Sequence, residues 1–165
     1  EVNNVLFNIS THNLAKNINP NVIETVIEIA LEIAKEGREQ KKVGTGFIIG
    51  NKSEILKYIK QLIINPFTAY PDTSKNILDP LLRETIKEFA QLDGVFIIHE
   101  DGTIISCGSY IDIDTTNVTL HHGYGTRHRS CAAITKEVNN SIAIIVSQSG
   151  GKITLFKDGK AVLRL

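Results

Sequence analysis

Residues 125–130 are the segment best suited by residue type and spacing to bind an anion. Their sequence, GTRHRS, places two arginines, a histidine and two hydroxyls where the pattern predicts that a loop becomes a helix. A helix start exposes unpaired backbone N–H groups and the positive end of the helix dipole. The guanidinium groups of Arg127 and Arg129 match phosphate oxygens, so the segment favours a polyphosphate ligand. The alternative is a solvated basic surface.

A carboxylate lies upstream, at a predicted junction between a helix and a strand. Asp93 is followed by Gly94, where the backbone is able to approach a ligand closely. A carboxylate in this position suits a divalent metal ion or the orientation of an attacking hydroxyl group. The structural alternative is a helix end at glycine, with Asp93 as a solvated turn residue.

The composition describes one ordinary globular domain, with 165 residues of which 42% are hydrophobic and 22% are charged. Lys and Arg total 18, as do Asp and Glu, so no overall field attracts nucleic acid or an anionic membrane. Any anion site must therefore be local. The longest apolar runs are too short to cross a bilayer, and we expect no membrane segment in this chain.

The cysteines and the first residue of the chain bear on where the protein is located and on whether the sequence is complete. Cys107 and Cys131 are too few for a disulfide framework, so we expect buried, reduced thiols and a cytoplasmic location. The chain begins at Glu1 and contains no Met, which predicts a fragment or a processed product of a longer protein.

Hydrophobic periodicity predicts an α/β fold, a single domain with a central mixed β-sheet. Asn19-Pro20 and Asp79-Pro80 each combine an N-cap with a proline at the first helical position, and Ser53 is the predicted cap of a helix over Glu54–Ile63. A further helix is predicted over Arg127–Val138. Six strands are predicted: Val43–Ile49, Gly94–His99, Thr103–Tyr110, Ser141–Ser147, Lys152–Lys157 and Lys160–Leu165. Residues 1–19 are predicted to be a weakly patterned lead-in, and residues 20–165 to form the domain.

Three segments together resemble the diadenylate cyclase domain family. They are Leu92-Asp93-Gly94-Val95, similar to the family's DGA motif; Gly125-Thr126-Arg127-His128-Arg129, its GTRHR motif; and Ser147-Gln148 with Ile153-Thr154-Leu155. The resemblance spans roughly Val43 to Lys160. It implies a mixed sheet flanked by helices. It also implies a nucleotidyltransferase that condenses two ATP molecules into cyclic di-AMP, with release of two pyrophosphates and with Mg²⁺ or Mn²⁺ as cofactor.

The resemblance also implies roles for single residues. Asp93 would bind the metal and orient the 3′-hydroxyl, and it would be catalytic together with Arg127 and His128. The implied ATP- and phosphate-binding residues are Gly94, Gly125, Thr126, Arg127, His128, Arg129, Ser130 and Ser147. The implied adenine-side residues are Gly108, Ser109 and Tyr110, with Tyr110 as a stacking surface.

The sequence departs from the family pattern at two positions. Val95 replaces the small Ala of the DGA motif, which is expected to narrow the site or shift the base. Gln148 stands where many members carry Glu, and a carboxamide supplies no negative charge to a metal, so no metal role is assigned to it. These departures support an alternative function, a non-catalytic nucleotide sensor of the same fold.

The number of phosphate-binding segments predicts an oligomer. One subunit has one such segment while the reaction uses two ATP molecules, so we expect two subunits to face each other in a homodimer or higher homo-oligomer. A nucleic-acid-binding module would need a basic surface and exposed aromatic residues. Zero net charge and 6% aromatic residues argue against it, so no nucleic acid partner is expected.

Two further patterns are weak. His121 and His122 are adjacent and would point to opposite faces of a strand, so a shared metal ion is not expected. Gly44 and Gly46 leave room for close backbone approach in a predicted strand, but they lack the full glycine fingerprint of a nucleotide loop.

Overall fold

A seven-stranded sheet forms the centre of the computed structural model, which describes residues 15–165. The strands are β1 (Thr45–Gly50), β2 (Ile59–Gln61), β3 (Val95–His99), β4 (Ile104–Ile111), β5 (Ile142–Val146), β6 (Ile153–Lys157) and β7 (Lys160–Arg164). The helices are α1 (Pro20–Glu36), α2 (Lys52–Ile55), α3 (Arg83–Phe89) and α4 (Thr126–Glu137), with short 3-10 turns at Leu56–Tyr58, Asp72–Ser74 and Pro80–Leu82. The strand order is β2-β4-β3-β1-β5-β6-β7. The sheet is mixed because β1 pairs in parallel with β3, whereas the other neighbours are antiparallel.

Helices α1 and α4 cover opposite faces of the sheet. The apolar stripe of α1 packs on the face that carries Phe47 and Phe96, whose rings stack with centroids 4.9 Å apart. The buried side of α4 packs on the other face, in a cluster with Ile48 and Ile97. Burial on both faces explains why β1, β3 and β5 are almost continuously apolar in sequence.

The cap signals at α1 are confirmed. The Asn19 side chain accepts a hydrogen bond from the Asn21 N–H at 3.0 Å, Pro20 opens the helix, and Gly37 follows its end with φ +59°. The Asp79 side chain caps the turn before α3 by accepting from the Leu81 N–H at 3.0 Å. Local side-chain chemistry therefore sets where these elements begin.

Ion pairs fasten α3 to α1. Arg83 Nη2 lies 2.8 Å from Glu28 Oε2, and Lys87 Nζ lies 2.9 Å from Glu32 Oε2. The Glu32 carboxylate at this distance raises the pKa of Lys87, against the opposing effect of burial. Because α3 leads directly into Asp93, these pairs help to fix the approach to that carboxylate.

One predicted element is wrong. Instead of a helix over Glu54–Ile63, helix α2 ends at Ile55, and Ile59–Gln61 forms the edge strand β2, paired with β4. Asn51 caps α2, accepting from the Glu54 N–H at 3.2 Å, so the predicted cap at Ser53 is also wrong. The segment has helical residues, but pairing with the exposed edge of β4 satisfies its backbone in the extended form.

The predicted lead-in, residues 1–19, falls mostly outside the described residues. From residue 15 onward the chain already packs on the domain, with Ala15 and Ile18 buried in the core beside α1. Among the helices of residues 15–165, none has the length and apolar character needed to span a membrane.

Candidate active site

Five segments converge at one edge of the sheet. The parallel pairing of β1 and β3 brings the residues before both strands, Gly44 and Asp93, to that edge. The antiparallel partners β4 and β5 end there, which adds Tyr110 and Gln148. Helix α4 begins at the same edge, with Arg127 in its first turn. Residues distant in sequence thus surround one surface depression.

Asp93 and Arg127 form the centre of this arrangement. Arg127 Nη2 lies 3.6 Å from Asp93 Oδ1, and the Asp93 side chain is 94% exposed. This distance is longer than a hydrogen bond, and an exposed pair of this kind contributes little to stability. Both groups therefore keep hydrogen-bonding capacity for a ligand.

An apolar cavity of about 320 Å³ lies on one side of the pair. Its wall is mostly apolar, with hydroxyl groups from the first turns of α4, and the lining residues are Leu62, Asp93, Gly94, Val95, Ser109, Tyr110, Ile111, Thr126, Arg127 and Ser130. Apolar walls with a few convergent polar groups are typical of sites for planar organic ligands. The half-exposed ring of Tyr110 is available at the wall for stacking.

A basic cavity, also of about 320 Å³, lies on the other side. It is lined by Arg38, Lys41, Lys42, Val43, Gly44, Gln91, Leu92, Asp93, Arg127 and Gln148. Arg38 is paired with Glu84, so Lys41, Lys42 and Arg127 remain as cations against one carboxylate in this wall. The wall therefore attracts anions although the whole chain is neutral. Asp93 and Arg127 belong to both cavities and stand at their junction.

Gly94 sets the position of Asp93. Its φ is +99°, and a Cβ atom there would lie 2.6 Å from the carbonyl oxygen of Ser109. No other residue fits this contact, so the chain before β3 lies directly against β4. Ser109 itself is buried and donates a hydrogen bond to Gln61 Oε1 at 2.9 Å. Its hydroxyl is thus engaged with β2, which makes Ser109 a wall residue of the apolar cavity.

Gly44 makes space for Arg127. A Cβ atom at Gly44 would lie 3.2 Å from Arg127 Nη1 and 2.8 Å from the Cβ of Gln148. The guanidinium group therefore lies over bare backbone at the start of β1. The sequence indicates close backbone approach at Gly44, but the contact with Arg127 depends on the pairing of β1 with its neighbours and is seen only in the structure.

The bulk of Val95 is accommodated by Gly46. Val95 is 3% exposed, and a Cβ atom at Gly46 would lie 2.9 Å from its Cγ1 atom. Part of the volume that Val95 adds relative to alanine thus fills the space above β1, while the side chain still lines the apolar cavity. The departure at residue 95 and the glycine at residue 46 form a complementary pair.

The start of α4 supplies backbone donors. Gly125 is the N-cap residue and offers no side-chain cap, so the N–H groups of the first turn keep their capacity for an anion. Thr126, Arg127 and Ser130 line the apolar cavity from this turn. The predicted helix start is confirmed.

Four of the predicted phosphate-binding residues lie outside both linings. Gly125, His128, Arg129 and Ser147 line neither cavity, and neither does the adenine-side residue Gly108. Ser147 borders the basic cavity through its neighbour Gln148, and its backbone holds the turn closed by accepting from Gly151 N–H at 3.0 Å. Gly108, with φ +63°, contacts the side chain of Ile63.

His128 is oriented toward an aromatic cluster. Its ring centroid lies 5.1 Å from that of Tyr124 and 6.3 Å from that of Phe156. Burial lowers the pKa of His128, and the charges of Arg127 and Arg164 lower it further. The ring therefore packs between the first turn of α4, the segment before it and β6.

The cysteines are buried, reduced and unreactive by environment, in agreement with the sequence prediction. Burial raises the pKa of Cys107 to about 11 and that of Cys131 to about 12. No group of three or more His, Cys, Asp or Glu residues suited to a metal ion occurs within residues 15–165, so His121 and His122 build no such cluster with described residues.

Comparison with known proteins assigns this architecture to a family. Residues 32–161 match the family model described as DisA bacterial checkpoint controller nucleotide-binding. A diadenylate cyclase of Methanocaldococcus jannaschii is 41% identical over 128 residues, which cover 78% of this chain and 40% of the relative. A diadenylate cyclase of Haloferax volcanii is 35% identical over 131 residues, covering 79% and 47%. The chain therefore spans less than half the length of these two relatives.

A solved structure shares the fold. The crystal structure of DacA from Staphylococcus aureus, an N166C/T172C double mutant, superposes with a TM-score of 0.58 at 24% identity, covering 87% of this chain and 85% of that one. The α/β fold with a central mixed sheet flanked by helices is thus shown by the structure and by this likeness.

The pair Gly46 and Val95 generates a prediction about stability. We expect Gly46→Ala to destabilise the domain by roughly 1–3 kcal/mol through overpacking, and Val95→Ala to cost roughly 2 kcal/mol through a cavity. The double variant should cost less than the sum, because the new methyl group fills the space left by Val95. Chemical denaturation of the four proteins measures this coupling. Additive losses would contradict the described contact.

The environment of His128 predicts a pH dependence. A histidine in the unfolded chain has a pKa of about 6.5, and the pKa of His128 in the folded protein is lower. As the pH falls through about 6.5, the unfolded state therefore binds more protons than the folded state. The free energy of unfolding should therefore decrease on acidification from about pH 7.5 to about pH 5.5. In His128→Gln this part of the decrease should be absent. Equal pH dependence in both proteins, measured by urea unfolding, would show that the ring is not buried as described.

Proposed function

The chain belongs to the diadenylate cyclase family, and on this premise we propose that it condenses two ATP molecules into cyclic di-AMP with release of two pyrophosphates. The proposal applies the activity named for the longer relatives to the domain that this chain shares with them. The observation that carries it is the Asp93–Arg127 pair, which stands between an apolar and a basic cavity.

Each cavity suits one part of ATP. The apolar cavity matches the adenine, with the Tyr110 ring as a stacking surface and the hydroxyls of Thr126 and Ser130 as polar contacts. The basic cavity matches the triphosphate, which carries the negative charge. Ribose and α-phosphate then lie at the junction, within reach of Asp93 and Arg127. This order places the reacting atoms beside the two charged side chains.

The chemistry follows from these positions. The 3′-oxygen of one nucleotide attacks the α-phosphorus of the other, and the O3′–P bond forms. The bond between this phosphorus and the oxygen that bridges it to the β-phosphate breaks, and pyrophosphate leaves. The carboxylate of Asp93 orients the 3′-hydroxyl and accepts its proton as the O3′–P bond forms. Arg127 and the N–H groups at the start of α4 stabilise the added charge on the phosphates. The same step repeated with the nucleotides exchanged closes the ring.

The donor set fits Mg²⁺ or Mn²⁺ as a cofactor. The Asp93 carboxylate is exposed and offers hard oxygen ligands. Since no cage of three metal-ligating side chains occurs in the described part of the chain, the ion would be held by Asp93 together with substrate phosphates. When bound, such an ion neutralises phosphate charge and favours the departure of pyrophosphate. The carboxamide of Gln148 is given no metal role.

The site is proposed to work between two facing subunits. The described residues form one Asp93–Arg127 site, whereas the reaction needs two nucleotides in line. Leu62 at the apolar cavity is 51% exposed, which leaves apolar surface for a second subunit to cover. Holding both nucleotides in this way converts an encounter into a nearly unimolecular step, worth about 7–11 kcal/mol.

Incubation with ATP and Mn²⁺ or Mg²⁺ tests the reaction. We expect cyclic di-AMP and pyrophosphate by chromatography and mass spectrometry, and a loss of turnover of at least about a hundredfold in Asp93→Asn with ATP affinity largely retained. Arg127→Ala should instead weaken ATP binding, because it removes a guanidinium aimed at phosphate. Asp72→Asn is the matched control, since that carboxylate lines neither site cavity. ATP binding without product in the wild-type protein at high concentration would favour the nucleotide sensor.

The dependence of rate on concentration tests the facing subunits. Specific activity should fall steeply when the protein is diluted below the dissociation constant of its dimer, since each half-site then lacks its partner nucleotide. Analytical ultracentrifugation over the same range supplies that constant. A specific activity that stays constant on dilution into the monomer range would reject the two-subunit site.

A further inference from the structure

The turn that follows α1 has an unusual backbone. Arg38 and Lys41 exchange hydrogen bonds, N–H to O at 2.9 and 2.8 Å, across Glu39 and Gln40, whose φ values are +48° and +64°. Two successive positive φ values define a turn normally built from Asn-Gly or Asp-Gly. The β6–β7 hairpin of this same chain follows that rule, with Asp158 at +51° and Gly159 at +78°. The 38–41 turn holds two non-glycine residues in that conformation, a strain that often accompanies function.

Neighbouring contacts hold the 38–41 turn in place. Arg38 donates to Glu84 Oε2 at 2.9 Å and lies 3.7 Å from Glu88 Oε2, which ties the turn to α3. A Cβ atom at Gly37 would clash with the carbonyl oxygen of Lys41, so only glycine permits the chain to fold back here. The backbone of the 38–41 turn is thus held in place, and the charge of Arg38 is neutralised by the carboxylates of α3.

Lys41, at the end of the 38–41 turn, and Lys42, directly after it, are the cations here that remain available to a ligand. Both are exposed, both line the basic cavity, and within residues 15–165 neither forms an ion pair. They share the cavity wall with Arg127 and Gln148, beside the junction where the α-phosphate is proposed to lie. This wall thus carries two lysines beside the guanidinium of Arg127.

We propose that Lys41 and Lys42 form a second phosphate-binding arm that binds the β- and γ-phosphates of ATP and holds pyrophosphate as it leaves. This inference rests on the proposed function, and it adds residues outside the GTRHR segment to the site. As the bond to the β-phosphate breaks, negative charge grows on the pyrophosphate, and nearby ammonium groups stabilise that charge. The 38–41 turn holds the backbone from which the lysine side chains extend.

Calorimetric titration with three probes tests the arm without turnover. The probes are α,β-methylene-ATP, AMP and inorganic pyrophosphate, titrated into the wild-type chain and into Lys41→Ala/Lys42→Ala. The double variant should bind the triphosphate and pyrophosphate roughly tenfold or more weakly, since charge-assisted contacts are lost. Its affinity for AMP, which lacks both outer phosphates, should stay within about twofold. Lys157→Ala/Lys160→Ala is the matched control, because those lysines flank the turn between β6 and β7 and should leave all three affinities unchanged.

The outcomes separate this inference from the proposed function. Unchanged pyrophosphate affinity in the double variant, or an equal loss for AMP, would overturn the lysine arm even if the wild-type chain makes cyclic di-AMP. A selective loss of pyrophosphate and triphosphate binding in a chain that makes no cyclic di-AMP would support the arm and reject the cyclase proposal.

Discussion

The parallel pairing of β1 with β3 is the constraint on which the rest of the site depends. The pairing aligns the starts of two strands that are 50 residues apart in sequence, and their antiparallel neighbours β4 and β5 must then end at the same edge. A register shift on either strand would separate Gly44 from Arg127 and Asp93 from the wall of β4. The buried faces of the central strands, packed on α1 and α4, make such a shift costly.

Absent side chains are as important in this site as the charged groups. Gly94 allows the chain before β3 to contact the backbone of β4, and Gly44 allows a guanidinium to lie on the start of β1. Gly46 accommodates the methyl groups of Val95. Each contact fixes a charged or apolar group of the site by letting backbone approach it. Packing therefore determines where the charged groups of the site lie. The chain has zero net charge, yet the wall of the basic cavity carries a local excess of positive charge.

Many features of the fold could be predicted from the chemistry of residues close in sequence. The helix caps at Asn19 and Asp79 and the start of α4 depend on residues within a few positions of one another, and the structure confirms them. The edge strand β2 could not be predicted, because its three residues are extended only through pairing with β4. The orientation of His128 and the arm at residues 38–41 likewise depend on distant partners, Phe156 and Glu84. The family motifs located Asp93 and Arg127, but the cavities on either side of them follow from the strand order.

The central claim is that one nucleotide spans the apolar and basic cavities across the Asp93–Arg127 pair. A crystal structure of the chain with α,β-methylene-ATP tests it most directly. The account predicts that adenine lies against Tyr110, that the α-phosphate lies at the pair, and that the outer phosphates enter the basic cavity. A nucleotide bound in the reverse orientation, or bound away from Asp93 and Arg127, would contradict it.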